Sequence, residues 1–458
     1  MPQEVFTPDP GVVGILRKQA FAGQTALHWS RFLVPLEHQG GYYLYHNLTK
    51  QCFRTDEALY TAASAGESLN LADPERKLLT ECWFLLPEGK DEVALYEGVL
   101  RLLRMRTARR RLSSYTILPT TACNARCFYC VENGTRIVTM SQETTEQTID
   151  FILRTRDPAH KTHLTWFGGE PLVAPQVIDR VCAALTEAGV DFESSMVTNG
   201  ILIDETTLAK MTGLWRVNRL QITLDGQEED YNSRKAFLKS YPSAYRVLLE
   251  NLRRLSDTPI RVALRCNVDE DIVGGLRQMI DDLALTIPRK GHFGLYFEIL
   301  FSQKEREGHA ALFRQCMEAR LYAREKGFPY FPRSSPHRLR VSVCMAENPF
   351  GSTLISPEGL LYNCHLFLPG TETGNVRDGI TQVDTLQTYA MPEPVAERCR
   401  DCCFLPNCTS FTRCPITKGQ CRQVREAELL CDLRCELERE SGTNETDFGN
   451  DGDLDPIC

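Results

Sequence analysis

Six short apolar runs recur through the middle of the chain and limit its possible folds more than any other feature. They cover residues 115–119, 162–167, 194–200, 220–226, 260–269 and 294–300. The runs at 194–200, 220–226 and 260–269 end in polar residues or glycine and begin roughly thirty residues after their predecessors, which suits repeated strand–helix units. Between the runs, apolar residues three and four apart predict helices over 141–155, 175–188, 205–212, 243–255, 272–284 and 308–326. We therefore expect an α/β fold with six βα units over 115–326.

A loop with three cysteines follows the first predicted strand. Cys123, Cys127 and Cys130 have the spacing C-x3-C-x2-C. Three thiolates on one tight loop can hold three irons of a [4Fe–4S] cluster and leave the fourth iron without a protein ligand. A structural zinc site would need a closed shell of four ligands, and no fourth Cys or His lies beside this loop. A small molecule can bind the open iron and take an electron from the cluster.

The cysteine spacing, the aromatic residue Tyr129 before the third cysteine and the run Gly168-Gly169-Glu170-Pro171 resemble the radical S-adenosylmethionine (SAM) superfamily. The resemblance implies a partial (β/α)6 TIM-type barrel and a [4Fe–4S] cluster that binds SAM. By the same resemblance, Tyr129 packs near the adenine, and Gly168, Gly169 and Glu170 bind the amino group of SAM.

Further polar residues stand at the ends of the later apolar runs, where barrel active sites are built. The resemblance assigns four of them to the ribose and amino-acid parts of SAM: Asn199, Thr223, Asp225 and Asn267. Asn and Asp also favour the turns that follow strands, which is the alternative explanation. The charged stretch 227–234 predicts a loop over the barrel mouth.

A second set of cysteines occupies the C-terminal part of the chain. Cys344, Gly359 and Cys364, followed by the pattern Cys399-x2-Cys402-x5-Cys408, resemble the SPASM extension of radical SAM enzymes. The resemblance implies two auxiliary [4Fe–4S] clusters, the first with the ligands Cys344, Cys364 and Cys414, and the second with Cys399, Cys402, Cys408 and Cys431.

Several points of this auxiliary assignment stay open. Thr412 stands where the pattern has its next cysteine, and Cys414 follows two residues later. Cys421 and Cys435 are alternatives to Cys431 as the last ligand. Phe350 replaces a cysteine that completes the first auxiliary cluster in sulfatase maturases, so that cluster either has an open iron or is closed by another cysteine. Zinc-ribbon binding is the other interpretation of these cysteines.

The first 112 residues predict a small mixed domain. Runs at 29–36, 41–46 and 51–54 predict strands joined by turns at Gly40 and 47–50, with helices near 55–65, 74–81 and 91–107 and a further strand at 83–87. Three strands followed by helices resemble the winged-helix domains that bind leader peptides in ribosomal peptide maturation. An exposed strand edge there could capture an extended peptide by β-addition. A structural cap over the barrel is the alternative.

The composition argues against other classes of protein. A net charge of −8 gives no basic footprint for nucleic acid. No apolar stretch is long enough to cross a membrane and the N-terminus is no signal peptide, so we expect a cytoplasmic protein. The predicted domains are a winged-helix-like domain (1–112), the partial barrel (113–330), a Cys-rich SPASM iron–sulfur domain (331–439) and a disordered acidic tail (440–458).

These expectations together indicate a radical SAM/SPASM maturase of a ribosomally synthesised precursor peptide that carries a leader. The resemblance implies a 5′-deoxyadenosyl radical that abstracts a hydrogen atom, with a thioether or carbon–carbon cross-link as the favoured product. The electron donor would be a protein such as ferredoxin or flavodoxin. His365 stands where sulfatase maturases have an aspartate proposed as base, and it is the candidate catalytic base here. The alternatives are a sulfatase-type maturase that forms formylglycine and a non-catalytic iron–sulfur or zinc scaffold.

Overall fold

The computed structural model describes most of the chain as two compact units. The described residues are 1–17, 26–67, 71–108, 111–239, 241–300, 309–330, 335–341, 344–366, 369–388, 395–408 and 425–441. The N-terminal unit is drawn from Met1–Ala108, Pro332–Val343 and Pro392–Gly452, and the barrel unit from Arg109–Phe331 and Cys344–Met391. The predicted SPASM segment 331–439 is thus shared between the two units. The predicted acidic tail lies outside the described residues from position 442 onwards.

The first part of the N-terminal unit contains two antiparallel sheets within its described residues. Its strands are β1 (Gln3–Phe6), β2 (Leu27–Trp29), β3 (Leu33–His38), β4 (Gly41–His46), β5 (Gln51–Thr55) and β6 (Leu85–Pro87). Its helices are α1 (Pro10–Leu16), α2 (Glu57–Ala65), α3 (Asp73–Glu81) and α4 (Glu92–Thr107). One sheet has the order β1-β5-β4-β3, and the other pairs β2 with β6. Carboxylates of Asp9, Asp56 and Asp91 accept hydrogen bonds from the first backbone N–H groups of α1, α2 and α4, which explains where these helices begin.

The predicted strand 29–36 is wrong in its extent, because the chain turns after Trp29. β2 ends at this residue, and β3 begins at Leu33 in the other sheet. Ser30 explains the break. Its N–H donates to the carbonyl oxygen of Phe84 (2.9 Å), and its hydroxyl donates to the buried carboxylate of Glu92 (2.5 Å). β1 lies outside the predicted strands, since four residues give too short a pattern to recognise.

The barrel unit is built on the parallel strands that the sequence predicts. They are β7 (Ser114–Ile117), β8 (Thr162–Trp166), β9 (Phe192–Thr198), β10 (Val217–Thr223), β11 (Arg261–Val268) and β12 (Phe293–Ile299). The helices of this part are α5 (Gln142–Thr155), α6 (Pro175–Glu187), α7 (Glu205–Thr212), α8 (Glu228–Lys235), α9 (Ala244–Leu255), α10 (Leu276–Thr286) and α11 (His309–Glu325). The strands neighbour one another in chain order and pair in parallel. All their carboxyl ends therefore meet at one edge, and the predicted α/β fold with a large parallel sheet is confirmed.

Residues 227–234, predicted as a loop, form most of helix α8 instead. Its first turn carries Glu228, Glu229 and Asp230 and its last turn Arg234 and Lys235, an arrangement that complements the helix dipole. Tyr231 and Lys235 are buried. The sequence shows no apolar stripe for this helix, because two of its buried side chains, Arg234 and Lys235, are charged.

A hairpin extends the parallel sheet beyond β7. β13 (Ser352–Ile355) pairs in parallel with β7, and β14 (Leu360–Tyr362), β15 (Gly374–Asn375) and β16 (Gly379–Ile380) follow it in antiparallel pairing. Gly359 forms the turn between β13 and β14 with φ at +83°, a conformation that glycine adopts without strain. A short helix, α12 (Val383–Thr388), comes next. The sheet has ten strands within the described residues.

The chain then returns to the N-terminal unit, where helix α13 (Arg425–Glu440) covers one face of the four-stranded sheet. Leu429, Leu433 and Leu437 of α13 share an apolar cluster with Val34 and Tyr45. The opposite face of the sheet packs on α2 and α3, through residues that include Leu44, Phe53, Leu59 and Leu79. Both faces of this sheet are therefore buried.

Among the described helices, none combines the length and apolar character needed to cross a membrane.

Candidate active site and metal centres

The cysteine loop 123–130 is held by backbone hydrogen bonds to the end of α8. The amide of Arg126 donates to the carbonyl oxygen of Lys235 (2.9 Å), and the amide of Leu238 donates to that of Asn124 (2.8 Å). Within the loop, the amide of Cys130 donates to the carbonyl oxygen of Cys127 (3.1 Å). The loop follows β7, so it lies at the carboxyl edge of the parallel sheet.

The three thiols of this loop lie close enough to influence one another. Burial raises the pKa of Cys123 to about 11, and the charges of Glu170, Cys127 and Cys130 add to the effect. Burial likewise raises the pKa of Cys130. Thiols with raised pKa values stay protonated in the metal-free protein, and a metal displaces those protons when it binds. Three cysteines on one loop would suit a [4Fe–4S] cluster with one iron left open, and their role as ligands stays a prediction.

Gly168 and Gly169 allow the end of β8 to pack directly on the backbone of the cysteine loop. Gly168 has φ at +110°, and a Cβ atom there would lie 2.5 Å from the carbonyl oxygen of Thr120. A Cβ atom on Gly169 would lie 2.3 Å from the carbonyl oxygen of Ala122. The amides of Gly169 and Glu170 donate to Thr120 (3.1 Å) and Ala122 (2.9 Å). These glycines fix the position of the loop; their contact with SAM stays a prediction.

The Glu170 carboxylate joins β8 to β9. It accepts hydrogen bonds from Thr198 Oγ1 (2.8 Å) and from the amides of Asn199 (2.8 Å) and Leu172 (3.1 Å). The side chain is buried. Burial raises the pKa of Glu170 although these donors work against that rise. In this structure the carboxylate holds protein groups, and its predicted contact with the SAM amino group remains untested.

Asp225 is the centre of a buried polar network. One carboxylate oxygen accepts from the amide (2.8 Å) and Nδ2 (3.2 Å) of Asn267. The other accepts from the Tyr129 hydroxyl and pairs with Lys235 Nζ at 3.1 Å. Lys235 also donates to the Tyr129 hydroxyl (2.8 Å). The network thus fixes the aromatic residue of the cysteine motif against the ends of β10 and β11.

The electrostatics of this network keep Lys235 charged. Burial alone would lower its pKa, but the charges of Asp225 and Cys127 outweigh burial, and the pKa of Lys235 is raised. Burial and the negative charge of Asp225 raise the pKa of Tyr129, so this hydroxyl keeps its proton. The site is therefore an ion pair of a lysine and an aspartate, bridged by a neutral tyrosine.

Asn199 and Thr223 complete the same edge. Asn199 Nδ2 donates to Asn124 Oδ1 (2.6 Å), and Asn199 Oδ1 accepts from the amide of Ile201 (3.1 Å). Asn124 Nδ2 is buried and has no hydrogen-bond partner among the described residues. A buried donor beside Cys123 fits a group rich in acceptor atoms, as a cluster with SAM would be. Thr223 is the last residue of β10, half-buried.

His365 and the first auxiliary cysteines lie beside the same sheet. The rings of His365 and Phe167 meet edge-on with centroids 5.6 Å apart. Burial lowers the pKa of His365 to about 4, which makes it a weaker base than free imidazole. Asn363 Nδ2 donates to the carbonyl oxygen of Ala346 (3.2 Å), so the turns that carry Cys344 and Cys364 are neighbours. The roles of His365, Cys344 and Cys364 stay predictions. Cys414 lies outside the described residues.

The second auxiliary set belongs to the N-terminal unit. Its predicted ligands there are Cys399, Cys402, Cys408 and Cys431. The first three lie on one segment, where the amide of Cys402 donates to the carbonyl oxygen of Cys399 (3.1 Å). Cys431 and the alternative Cys435 are buried on α13. Cys421 lies outside the described residues.

Two residues that sequence reasoning missed contribute to the barrel site. Lys235 carried no signal, because its burial depends on Asp225, ten positions earlier, and on helix α8. Asn124 offered one signal: it stands between the first two cysteines, where a side-chain amide next to a metal loop suggests a hydrogen-bonding role.

Comparison with known proteins agrees with this geometry. Residues 117–282 match the family model described as the Radical SAM superfamily. The chain is 31% identical over 111 residues to a GTP 3′,8-cyclase of Nostoc punctiforme, and 32% identical over 120 residues to one of Chlorobaculum tepidum. These alignments cover 24% and 26% of this chain and 33% and 36% of the relatives. The chain thus spans about a third of the length of the curated relatives that it matches.

Solved structures share the fold at low sequence identity. Native anSMEcpe with bound AdoMet has a TM-score of 0.57 at 14% identity, over 72% of this chain and 100% of that chain. The same protein with bound AdoMet and the Cp18Cys peptide has a TM-score of 0.55 at 14% identity and the same coverage. The predicted superfamily is confirmed by the family match, whereas the SPASM resemblance stays a prediction. Residues 117–282 therefore form a domain of the radical SAM superfamily of enzymes.

Proposed function

We propose that this protein is a radical SAM maturase that modifies a ribosomally made precursor peptide, with a thioether or carbon–carbon cross-link as the favoured product. The observation that carries the proposal is the position of Cys123, Cys127 and Cys130. Their loop lies at the carboxyl edge of the parallel sheet, beside the buried network of Tyr129, Asp225 and Lys235.

The residues of the chain would hold and orient the cofactors. When bound, a [4Fe–4S] cluster with SAM supplies the 5′-deoxyadenosyl radical that takes a hydrogen atom from the substrate. The three loop cysteines would hold three irons. Gly168 to Glu170 would face the amino group of SAM, and Asn199, Thr223 and Asn267 its ribose and amino-acid parts. Hydrogen bonds among these groups fix the loop before a ligand arrives, which lowers the cost of ordering it later. An acidic electron carrier such as ferredoxin or flavodoxin would supply the electron.

Two features support a peptide as the substrate. The chain shares its fold with anSMEcpe, which has been solved with bound peptides. The N-terminal unit offers β3 as an edge strand among its described residues. The two-residue turn makes His38 and Gly41 the closing hydrogen-bonded pair of β3 and β4. Because hydrogen-bonded pairs alternate along an antiparallel strand, the backbone groups of Leu33, Pro35 and Glu37 point away from β4, towards the open edge.

This edge would accept only a short added strand. Pro35 has no N–H group, and the amide of Leu33 already donates to the carbonyl oxygen of Ser30 (3.1 Å). Glu37 is then the residue of β3 that offers an outward N–H as well as an outward carbonyl group. We place the leader-peptide contact at this residue.

The first test is SAM cleavage. The protein is reconstituted with iron and sulfide without oxygen, given dithionite and SAM, and assayed for 5′-deoxyadenosine. We expect activity that C123A, C127A or C130A abolishes and that C82A, a half-buried cysteine of the N-terminal unit, leaves unchanged. We expect C399A/C402A to cleave SAM but to form no modified peptide. A wild-type protein that produces no 5′-deoxyadenosine would establish the non-catalytic scaffold instead.

A nucleotide substrate is the second candidate, because the aligned relatives are GTP 3′,8-cyclases. The same assay separates the two. Stimulation of SAM cleavage by GTP and not by a candidate precursor peptide would favour the nucleotide. Among peptide products, oxidation of a Cys or Ser to formylglycine would favour the sulfatase-type maturase over a cross-linking enzyme.

A further inference from the structure

The segment of residues 395–408, here called the C-terminal cysteine segment, is tied by its backbone to the first hundred residues of the N-terminal unit. Three hydrogen bonds make this connection: from the Arg31 guanidinium to the carbonyl oxygen of Arg400, from Asn47 Nδ2 to that of Cys403 (2.8 Å), and from the amide of Val395 to Glu97 Oε1 (3.1 Å). Because each bond uses a backbone group of the segment, the three side chains fix its path directly.

Two of these residues, Arg31 and Asn47, are themselves held in place. The amide of Arg31 donates to the buried Glu92 (3.1 Å), which also accepts from Ser30. Asn47 is fully buried, its amide donates to the carbonyl oxygen of Phe32 (2.8 Å), and its Oδ1 accepts from Lys50 Nζ (3.0 Å). The contacts therefore come from a pre-ordered part of the domain and not from mobile surface groups.

Apolar packing joins the same parts. Leu405 belongs to a buried cluster with Val12, Phe32, Val93 and Tyr96, and Cys399 packs against that cluster. On the other side, Cys403 and Phe404 pack against the cluster that α13 forms with β1, β3, β4 and β5. The segment thus lies between two apolar clusters, both built largely from the first hundred residues.

The fourth thiol of the predicted donor set lies on α13. Leu429 and Leu433 of this helix belong to the cluster that contacts Cys403 and Phe404, and the helix also carries the buried Cys431. Four thiols, three from one segment and one from the helix packed against it, form a donor set suited to a closed [4Fe–4S] cluster. A cluster bound there would link the segment to α13, and α13 covers the sheet of β1, β5, β4 and β3.

We propose that the N-terminal domain and the C-terminal cysteine segment form one metal-dependent folding unit. Arg31, Asn47 and Glu97 are positioning residues for the second auxiliary iron–sulfur site, and the bound cluster in turn stabilises the strands β3 to β5. The reason is linkage: a group that binds only the folded arrangement stabilises every element that this arrangement requires. The proposal rests on the proposed function in one respect, namely that these cysteines hold iron. Its consequence is that the strand edge assigned to the leader peptide depends on a cluster bound elsewhere in the unit.

The first experiment is hydrogen exchange, read by mass spectrometry on peptides that cover Leu33–Thr55. The variant C399S/C402S is compared with C123S/C127S, which removes two cysteines of the barrel unit, after identical anaerobic reconstitution. We expect at least about tenfold faster exchange of β3 to β5 in C399S/C402S, and wild-type exchange in C123S/C127S. Equal exchange of these strands in both variants overturns the proposal.

The second experiment tests the reverse direction in the background C123A/C127A/C130A, where bound iron reports the auxiliary sites. R31A/E97A is compared with K77A, which changes an exposed lysine of the same unit. We expect R31A/E97A to lose about half of the iron or more after gel filtration with a chelator, and K77A to lose none. If R31A/E97A does not fold, as judged by circular dichroism, E97A alone replaces it, with a smaller loss expected. Iron retention equal to that of K77A overturns the assignment of positioning residues.

The two levels of hypothesis fail separately. A protein that cleaves SAM but binds no iron at its C-terminal cysteines overturns this inference and leaves the proposed function standing. In the reverse case, iron bound at the C-terminal cysteines protects β3 to β5 but the protein never cleaves SAM. That result overturns the proposed function and leaves this inference standing.

Discussion

Replacement of Lys235 by methionine tests whether the charges of the buried network hold the cysteine loop. The alternative is that packing contacts of the side chains are sufficient. Lys235 and Asp225 are 3% and 0% exposed, and Nζ lies 3.1 Å from the carboxylate. At that separation the attraction is about 5 kcal/mol for an effective dielectric constant of about 20. Loss of one partner leaves a buried charge and typically costs about 3–5 kcal/mol. Asp225 keeps its donors from Asn267 and Tyr129, so we expect K235M to destabilise the barrel unit by about 3 kcal/mol.

The matched control is K210M. Lys210 lies only 2.7 Å from Asp179, closer than the buried pair, but the two side chains are 37% and 32% exposed. Solvent screens such a pair, and its loss should cost less than about 1 kcal/mol. The assay is urea-dependent hydrogen exchange of peptides from β9 to β11, which reports the barrel unit alone. Equal costs for K235M and K210M would refute the argument from burial.

A double variant separates the charge from the packing of the lysine stem. D225N removes the charge that K235M leaves without a partner, so D225N/K235M should be more stable than K235M by at least about 0.5 kcal/mol. If the loss of stability in D225N/K235M instead equals the sum of the losses in D225N and in K235M, the network acts through shape and not through charge.

Two further predictions concern other parts of the chain. Burial and the charge of Lys50 lower the pKa of His46 from 6.5 to about 3, so between these values the unfolded chain binds a proton that the folded chain refuses. Stability should therefore fall by about 2 kcal/mol from pH 7 to pH 5 and H46Q should abolish this loss; an unchanged pH slope in urea unfolding of the N-terminal unit would contradict it. G169A should reduce iron bound at the barrel loop, since its Cβ would lie 2.3 Å from a loop carbonyl oxygen, whereas G98A, with nothing within 4 Å in helix α4, should stabilise the N-terminal unit by about 0.5–1 kcal/mol. Iron content and urea unfolding are measured for G169A and for G98A. Equal changes in both variants would count against the packing argument.

The parallel sheet was predictable because its signal is local. Runs such as 260–269 and 294–300 carry strands that are buried almost throughout, and a strand buried on both faces reads as an apolar run whatever its neighbours are. The predicted helices of the barrel follow the same rule, since α9 places its apolar residues on one stripe. These elements appear in the structure within a few residues of their predicted ends.

The errors have a different origin, because each depends on a tertiary contact of a polar side chain. Helix α8 was predicted as a loop, since its burial comes from Lys235 meeting Asp225 and not from an apolar stripe. The strand predicted at 29–36 breaks at Ser30, whose hydroxyl bonds Glu92, sixty-two positions later. Asn47 and Arg31 likewise donate to the carbonyl oxygens of Cys403 and Arg400, which lie 356 and 369 positions later in the chain. No short window of sequence contains both partners of these long-range contacts.

The predicted site residues make contacts within the protein itself. Glu170 and Asp225 stand where the superfamily pattern places SAM-binding groups, but in this structure their oxygens accept hydrogen bonds from Thr198, Asn199 and Asn267. These bonds connect the ends of β8 to β9 and of β10 to β11, while Tyr129 and Asn124 connect the cysteine loop to the same ends. A loop that must present three thiols to a cluster gains from such connections, because the geometry is then set before iron arrives. We therefore propose two functions for the polar strand ends that a motif alone does not separate: they orient one another, and the atoms left over face the ligand.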